Sequence, residues 1–434
     1  MQELEALFER VAVISLARSS DRLEAFYNEL PKPWPFSPPS VVRAIDGKKA
    51  KPPPSYQAKP PVGSWGCFRS HYRVLEDALN DDVESILIFE DDVAFVPRFA
   101  ERARRFFAAL PFDWEFIYLG GKHLHREIQL PIRVNSEVYR PFNVHSAFAY
   151  GLRGRAAIER VYEHVNSPER WGRGHCIDHR LGEMHHQYPG GVYTPAKWLA
   201  GHRSGRSTIR GSENPEQFFP DADWLCHAPV EKGFVAVVGN DDHLTPAVAS
   251  AIHLLGIPIG ENRSTERLAS PSIALSVAPG LNNLIDNLYD PDWWVPWTHF
   301  DHRVAMLRQW ASRRCVMPKN RDNKWLGAFH PGLPVMAKEI CAAWNDPLLL
   351  LVEAETPCPV TSSSTGGDQV RLRKRKEAWQ SIKEMEVCRH IHCTEAELYN
   401  PALWLEGISA ELGIKTHPER LVRASQLLER AMQR

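Results

Sequence analysis

The first half of the chain alternates short apolar runs with stretches of helical periodicity. Between Phe68 and Leu79, apolar side chains recur at spacings of three and four residues, which predicts an amphipathic helix. A continuous apolar run, as at residues 86–89, is typical of a strand buried on both faces of a parallel sheet. The alternation predicts an α/β fold with a mostly parallel sheet. The predicted strands are residues 11–16, 86–89, 116–119 and 147–152, and the predicted helices are residues 22–30, 68–79 and 156–165.

A second α/β pattern begins after a polar segment. Gly, Ser, Arg, Asn and Pro dominate residues 201–230, so we place a boundary there and predict domains of residues 1–228 and 229–434. Beyond it, residues 234–238 form a predicted strand, and a helix with proline in its first turn follows at residues 246–255. The pattern also predicts a loop at residues 361–368 and a helix at residues 418–434.

Composition and charge exclude several classes of protein. The 434 residues, 43% hydrophobic and 24% charged, suffice for two or three domains with a sizeable core. A net charge of -1 argues against a general nucleic-acid binder. The acidic first ten residues do not resemble a secretory signal, and no apolar run approaches the roughly 18 residues of a membrane span. We therefore expect a cytoplasmic protein, whose eight scattered cysteines stay reduced.

Three consecutive carboxylates, Glu90, Asp91 and Asp92, follow the apolar run at residues 86–89. They repel one another, so the cluster is favourable only beside positive charge or in water. Ligands of open α/β sheets bind at the carboxyl ends of strands, and Mg²⁺ and Mn²⁺ prefer carboxylate oxygens. Taken alone, the triplet leaves two interpretations open. It is either a cation site that bridges to a diphosphate, or a solvated turn in which an aspartate caps a helix.

Four short blocks occur in order over about 90 residues. They are Val-Ile-Ser-Leu at residues 13–16 with Asp-Arg at 21–22, Ala-Ile-Asp-Gly at 44–47, Gly-Ser-Trp-Gly-Cys-Phe-Arg-Ser-His at 63–71, and the apolar run with Glu-Asp-Asp at 86–93. Together they resemble glycosyltransferase family 25, the lipopolysaccharide and collagen galactosyltransferase group. Weaker similarity at residues 178–179 and 195–209 extends the resemblance to about the first 210 residues.

This resemblance implies a GT-A-like, Rossmann-like domain. It implies inverting transfer of a hexose, usually galactose, from a UDP-sugar to a saccharide or glycoconjugate acceptor, as in lipopolysaccharide biosynthesis. Carried over to this sequence, Glu90, Asp92 and His202 would bind Mn²⁺ or Mg²⁺, and Asp178 would be the general base. The implied donor-site residues are Leu16, Arg18, Arg22, Asp46, Ser70, His71 and Asp91.

The residue types fit this chemistry, and each also has a structural interpretation. Inverting transfer needs a carboxylate to take the acceptor proton and a cation to stabilise the departing diphosphate. Alternatively, Ser70 and His71 only pack beside the acidic strand, Asp178 caps a helix, His202 lies on the surface and Asp46 serves a turn. Because many sugar acceptors are lipid-linked, peripheral membrane contact stays open.

The second half resembles the start of a sulfotransferase domain with a P-loop-like fold, over residues 235–260. Where that family has a phosphate-binding loop, this chain has Asp241 and Asp242, whose charges repel an anion. Residues 325–331 also lack the Lys-Asp-Pro-Arg block of that family. We expect an auxiliary domain without a sulfate-donor site that binds acceptor, forms a homodimer or gives support. The alternatives are an active sulfotransferase, or a non-catalytic glycan-binding or scaffold protein built on two decayed enzyme folds.

Overall fold

An eight-stranded sheet organises the first unit of the chain, Met1–Cys226, and a four-stranded sheet organises the second, His227–Arg434. The structure is a computed structural model. It describes residues 4–56, 61–126, 128–167, 176–187, 190–207, 209, 211–241, 243–259, 280–289, 296, 298–355, 366–385 and 388–433. Within these ranges, no helix is both long and apolar enough to cross a membrane.

All the strands and helices predicted for the first unit are present, and the helix predicted at residues 68–79 begins earlier, at Pro61. The strands are β1 Arg10–Ser15, β2 Ser40–Arg43, β3 Ser85–Glu90, β4 Val93–Phe95, β5 Phe116–Tyr118, β6 Lys122–His123, β7 Ile132–Arg133, β8 Val138–Arg140, β9 Val144–His145, β10 Ala149–Arg153, β11 Val192–Pro195, β12 Ala200–His202, β13 Gly205–Arg206 and β14 Glu213–Asn214. The helices are α1 Ser20–Asn28, α2 Pro61–Asn80, α3 Phe99–Ala109, α4 Arg155–Asn166, α5 Ile177–Gln187 and α6 Ala222–His227.

The main sheet has the strand order β2-β1-β3-β10-β5-β11-β8-β7 and is mixed. Strand β1 is parallel to β2 and β3, and β5 is parallel to β11, but β10 runs antiparallel to both β3 and β5. The prediction of a mostly parallel sheet is therefore wrong. Parallel neighbours need a long crossover, usually a helix, whereas the described chain between β5 and β10 forms only short strands.

Both faces of strand β3 are buried, which explains its uninterrupted apolar run. Ile86 and Ile88 pack into the core beneath α2, α4 and α5. Leu87 and Phe89 pack into the core beneath α1 and α3. Successive side chains of a strand point to opposite faces, so this run of apolar residues is buried on both. The acidic triplet follows the run directly and therefore lies at the carboxyl edge of the sheet.

A buried histidine gives the first unit a predicted dependence on pH. The ring of His123 stacks on Trp198 with centroids 4.8 Å apart, and neither ring nitrogen has a hydrogen-bond partner among the described residues. Burial, aided by the charge of Arg126, lowers the pKa of His123 to about 3. In the unfolded chain a histidine binds its proton near its ordinary pKa of about 6.5. The free energy of unfolding should therefore fall as the pH drops from about 6.5 towards 3, by up to about 1.4 kcal/mol per pH unit for this group.

Denaturant unfolding of wild type and His123→Phe, measured at about pH 7 and about pH 5, tests this expectation. Phenylalanine keeps an aromatic ring but cannot bind a proton. The free energy of unfolding of the variant should therefore depend less on pH, by the contribution of one titrating group. His227→Gln, at an exposed position, is the control and should behave as wild type. Equal slopes for wild type and His123→Phe would show that the native protein protonates His123 as readily as the unfolded chain does.

The second unit is built on a parallel sheet. Its strands, in the spatial order β16-β15-β17-β18, are all parallel to their neighbours. They are β15 Gly233–Gly239, β16 Trp325–Phe329, β17 Leu348–Glu353 and β18 His390–Thr394. The helices are α7 Leu244–Leu254, α8 Leu281–Leu288, α9 Phe300–Cys315, α10 Ala337–Ala343, α11 Gly366–Lys383, α12 Pro401–Glu411 and α13 Pro418–Met432.

Two expectations for the second unit need correction. The loop predicted at residues 361–368 is wrong at its end, because helix α11 already begins at Gly366, while residues 361–365 lie outside the described residues. The expectation that all thiols stay reduced is also wrong, since Cys341 and Cys388 form a disulfide. Their Cα atoms are 5.9 Å apart although 47 positions separate them in sequence, so spacing alone could not reveal the pair. The strand predicted at residues 234–238 and the helix at 246–255 are confirmed, and the predicted C-terminal helix is confirmed over Pro418–Met432.

An aspartate of the protein itself occupies the start of helix α7. Oδ1 of the buried Asp241 accepts hydrogen bonds from the backbone nitrogens of His243, at 2.7 Å, and Leu244, at 2.6 Å. These amides are the groups that would bind a phosphate or sulfate at a helix N-terminus. The capping carboxylate gives a physical reason to expect no sulfate donor here. Asp242 lies outside the described residues, and the likeness of this unit to sulfotransferases stays a prediction.

Candidate active site

The acidic triplet lies in the turn between strands β3 and β4. Glu90 is the last residue of β3, pairs with Ile14 of β1, and donates its backbone N–H to the carbonyl of Phe148 at 2.9 Å. The backbone of Asp92 is fixed from the other side, because its carbonyl accepts from the backbone nitrogen of Arg203 at 2.7 Å. The carboxylates are thus held at the carboxyl edge of the sheet, where open α/β sheets bind their ligands.

Helix α2 brings two further side chains to Glu90. His71 Nε2 lies 3.0 Å from Glu90 Oε1, and its other ring nitrogen lies 3.2 Å from the hydroxyl of Tyr150. The thiol of Cys67, one turn earlier, contacts the same carboxylate oxygen at 3.8 Å. His71 is buried and orients Glu90 through this hydrogen bond.

Helix α2 also holds the loop at residues 44–47 against the site. Ser70 Oγ donates to the carbonyl of Gly66 at 2.6 Å and accepts from the backbone nitrogen of Ile45 at 2.9 Å. Gly47 lies so close to the helix that a Cβ atom there would be 1.8 Å from the carbonyl oxygen of Val62. Asp46 pairs with Arg18. Ser70 and Gly47 thus position the loop that carries Asp46.

We expect Gly47→Ala to destabilise the first unit and weaken any ligand bound in the adjacent cleft. The atom it meets belongs to the backbone of α2, so the helix or the loop must shift, at a cost of about 1–3 kcal/mol. Thermal unfolding measures the loss. Gly190→Ala is the matched control, because a Cβ atom there meets nothing within 4 Å. A melting temperature equal to that of wild type would contradict the close approach of Gly47 to α2.

Arg22 of helix α1 neutralises two of the three carboxylates. It pairs with Asp91 and, at 2.9 Å, with Asp92 Oδ2. The other oxygen of Asp91 accepts from Ser15 Oγ at 2.7 Å. Burial raises the pKa of Asp91 to about 6, against the opposing effects of Arg22 and Ser15. With both oxygens engaged, Asp91 supports the turn and has little left to offer a ligand.

Glu90 and Asp92 differ in the direction of their pKa shifts and in their hydrogen bonds. Burial pushes the pKa of Glu90 upward, but the hydrogen bond and charge of His71, together with the charges of His202 and Arg22, leave that pKa below its ordinary value. Burial, reinforced by the charge of Glu90, raises the pKa of Asp92. Asp92 Oδ1 is buried and has no hydrogen-bond partner among the described residues. An oxygen in that position, beside a second carboxylate, suits a divalent cation, which would remove the repulsion that raises the pKa of Asp92.

A cleft of about 260 Å³ opens in front of the triplet. Nine of the eleven site residues predicted from the sequence line it: Leu16, Arg18, Arg22, Asp46, Ser70, His71, Glu90, Asp91 and Asp92. Apolar side chains and one further cation, Lys48, complete much of its wall. Cationic, acidic and apolar groups converging in one cleft are typical of a ligand-binding site.

The remaining two predicted residues, His202 and Asp178, lie outside the set that lines the cleft. His202 ends strand β12, pairs with Val93, and its charge acts on the pKa values of both Glu90 and Asp92. Asp178 lies in the first turn of helix α5, where its Oδ2 is 3.4 Å from His145 Nε2. Its charge helps to raise the pKa of Cys67, which does line the cleft, so Asp178 lies on the Cys67 side of the site. The roles assigned to both residues stay predictions.

Besides Lys48, three residues of the site had no role assigned from the sequence. Arg203 donates to the carbonyls of Asp91, at 2.9 Å, and Arg22, at 3.2 Å, and so fastens the acidic turn to helix α1. Cys67 and Ser15 contact the carboxylates directly. Cys67 and Ser15 lie inside the blocks that carry the family resemblance, and Arg203 follows His202. Their position beside residues with an assigned role is the feature of the sequence that could have identified them.

Comparison with known proteins shows similarity in this part of the chain. Residues 8–162 match the family model "Glycosyltransferase family 25 (LPS biosynthesis protein)". The chain is 29% identical over 242 residues to "Inactive glycosyltransferase 25 family member 3" of Homo sapiens, covering 50% of this chain and 38% of the relative. It is 24% identical over 204 residues to "Procollagen galactosyltransferase 2" of Mus musculus, covering 43% of this chain and 32% of the relative.

A third relative, "Procollagen galactosyltransferase 1" of Danio rerio, is 30% identical over 138 residues, or 28% of this chain and 22% of the relative. In all three alignments the chain spans less than two fifths of the relative's own length. The similarity thus includes proteins named as galactosyltransferases and a protein named as inactive. The acidic turn, helix α2 and all the lining residues of the cleft except Ser207 and Ile209 fall within the segment, residues 8–162, that matches glycosyltransferase family 25.

Proposed function

We propose that the first unit is a metal-dependent, inverting glycosyltransferase that moves a hexose, galactose by preference, from a UDP-sugar to a saccharide or glycoconjugate. The observation that carries this proposal is the pair Glu90 and Asp92 at the head of the cleft, with the buried Oδ1 of Asp92 lacking a partner among the described residues. The match of residues 8–162 to glycosyltransferase family 25 supports the same reaction class.

Glu90 and Asp92, with His202 as a third candidate, would hold Mn²⁺ or Mg²⁺. Bound there, the cation would neutralise charge on the diphosphate leaving group. Arg18 and Lys48 line the same cleft and would attract the phosphates before chemistry begins. Leu16 would offer apolar surface to the uracil ring of the donor, while His71 would keep Glu90 ionised and oriented towards the cation.

Asp178 would take the proton of the acceptor hydroxyl as the new bond forms. Its location is compatible with this role in one respect, because its charge reaches Cys67 on the wall of the cleft. The acceptor would then approach from the Cys67 side of the cleft. The second unit would serve as an auxiliary domain for acceptor binding, homodimer contact or support, and peripheral contact with a membrane would bring lipid-linked acceptors to the cleft.

A second candidate function, a non-catalytic binding or scaffold protein, has its own supporting observation. Arg22 already pairs with Asp91 and Asp92, and His71 contacts Glu90, so each carboxylate has a partner without a metal. A relative named as inactive shares this part of the chain. What favours the enzyme is that Arg22 leaves Asp92 Oδ1 without a partner among the described residues, a costly arrangement for a site that binds nothing.

The test needs no knowledge of the acceptor, because a transferase with a bound donor also hydrolyses it slowly. The purified full chain is incubated with Mn²⁺ and either UDP-galactose or its C4 epimer UDP-glucose, and released UDP is measured. We expect faster release from UDP-galactose, and no release without a divalent cation. Equal rates for both sugars would overturn the galactose assignment. If no donor yields UDP, with saccharide acceptors present or absent, the non-catalytic function is correct.

A further inference from the structure

A thiol and two imidazoles that do not line the cleft meet beside helix α5. Cys176 directly precedes α5, His179 lies in its first turn, and His145 ends strand β9. The Sγ atom and one nitrogen of each histidine all lie within 4.8 Å of one another. The rings of His145 and His179 have centroids 4.5 Å apart, and all three side chains are partly buried.

The fold explains why these residues converge. Positions three apart at the start of a helix share one face, so Cys176 and His179 point the same way. Strand β9 packs against α5 and presents His145 to that face. One thiolate with two imidazoles is a donor set typical of zinc, whereas Mg²⁺ and Mn²⁺ prefer oxygen ligands.

The separations suit a tetrahedral ion after small adjustments. Zinc–nitrogen and zinc–sulfur bond lengths imply ligand atoms about 3.3–3.6 Å apart, so side-chain rotations moving the atoms by about 1 Å suffice. Asp178 Oδ2 lies 3.4 Å from His145 Nε2. A carboxylate on a metal-binding histidine fixes the ring orientation and is a regular companion of zinc sites.

We propose that His145, Cys176 and His179 bind one Zn²⁺ ion, with a fourth position left for water. The ion would displace the thiol proton of Cys176 and link strand β9 to the first turn of α5. It would thereby fix the backbone that carries Asp178. This inference stands independently of the proposed function, because it concerns a different ion on a different donor set.

A second group, Cys67, His71 and Glu90, also has ligand atoms within 4.8 Å of one another. It is the weaker zinc candidate, since both nitrogens of His71 are engaged, one with Glu90 and the other with Tyr150. It also lies in the cleft already described. The experiment must therefore distinguish Cys176 from Cys67.

Metal analysis and cobalt spectroscopy of the tag-free full chain provide the test. Purified from zinc-supplemented medium, wild type should contain close to one zinc per chain by mass spectrometry. Co²⁺ added to the metal-free protein should give a thiolate-to-cobalt charge-transfer band in the near ultraviolet and intense visible bands of a tetrahedral site. Cys176→Ser should abolish the charge-transfer band, while Cys67→Ser and the matched control Cys226→Ser, another partly buried free thiol of this unit, should retain it.

His145→Gln and His179→Gln keep the thiol and should each weaken Co²⁺ binding at least ~10-fold, so the proposal can still be tested if Cys176→Ser does not fold. Fewer than about one zinc in ten chains together with no cobalt band in wild type would overturn the proposal. A band that survives Cys176→Ser, or disappears in Cys67→Ser, would overturn it as well. UDP binding with Mn²⁺ should persist in Cys176→Ser, so failure of the zinc site and failure of the donor site are distinguishable.

Discussion

Replacing Asp92 with asparagine should lower turnover of the proposed transfer reaction at least ~100-fold, the scale of losing one electrostatic stabiliser. Asparagine keeps the shape of the side chain and can still accept from Arg22, so the pair at 2.9 Å need not be lost as a hydrogen bond. What disappears is the charge that would hold the cation. Steady-state release of UDP from UDP-galactose at saturating Mn²⁺ measures the effect.

The same variant should be at least as stable as wild type without metal. Burial and the charge of Glu90 raise the pKa of Asp92, so the ionised carboxylate is disfavoured in the folded protein and its neutral replacement removes that penalty. Asp77→Asn, which loses only an exposed pair with Arg73, is the control and should be nearly neutral in both assays. Near-normal turnover of Asp92→Asn would show that Asp92 holds no catalytic metal.

Replacing Asp178 with asparagine should lower kcat by about 100-fold or more while leaving the KM for the donor almost unchanged, because general-base catalysis contributes on that scale. The donor residues line the cleft and Asp178 does not, so donor binding should not depend on it. Transfer to a saccharide acceptor is the reaction to follow.

A purely structural role for Asp178 predicts a different result. If Asp178 only orients His145, at 3.4 Å, then Asp178→Asn should change zinc or cobalt binding and leave the kcat of transfer close to that of wild type. Measuring both properties on one preparation separates the two roles. Asp81→Asn, an exposed aspartate paired with Arg10, serves as the control for removing a carboxylate from this unit.

Much of the site was predictable because its residues lie in short blocks around single strands and one helix. The apolar run of β3 predicted a buried strand, and the triplet after it could only lie at the carboxyl edge. The spacing from Phe68 to Leu79 predicted α2, which carries Ser70 and His71 to that edge. Local patterns of this kind follow from the side-chain periodicity of a single strand or helix, which can be read from the sequence.

Long-range features were less predictable. The antiparallel direction of β10 depends on the path of the chain after β5, and an apolar run buried on both faces carries no sign of direction. The pairing of Arg22 with Asp91 and Asp92 joins segments about 70 positions apart, as does that of Ser15 with Asp91. The separation of Asp178 from the cleft wall follows from the placement of α5, which no local pattern encodes.

The central claim is that Glu90 and Asp92 hold a cation that binds a nucleoside diphosphate, and calorimetric titration of UDP tests it most directly. Wild type and Asp92→Asn are titrated with and without Mn²⁺. We predict that wild type binds UDP only, or much more tightly, when Mn²⁺ is present, and that Asp92→Asn loses this metal-dependent binding. Equal binding of UDP by wild type in the presence and absence of Mn²⁺, or no binding under either condition, would contradict the account.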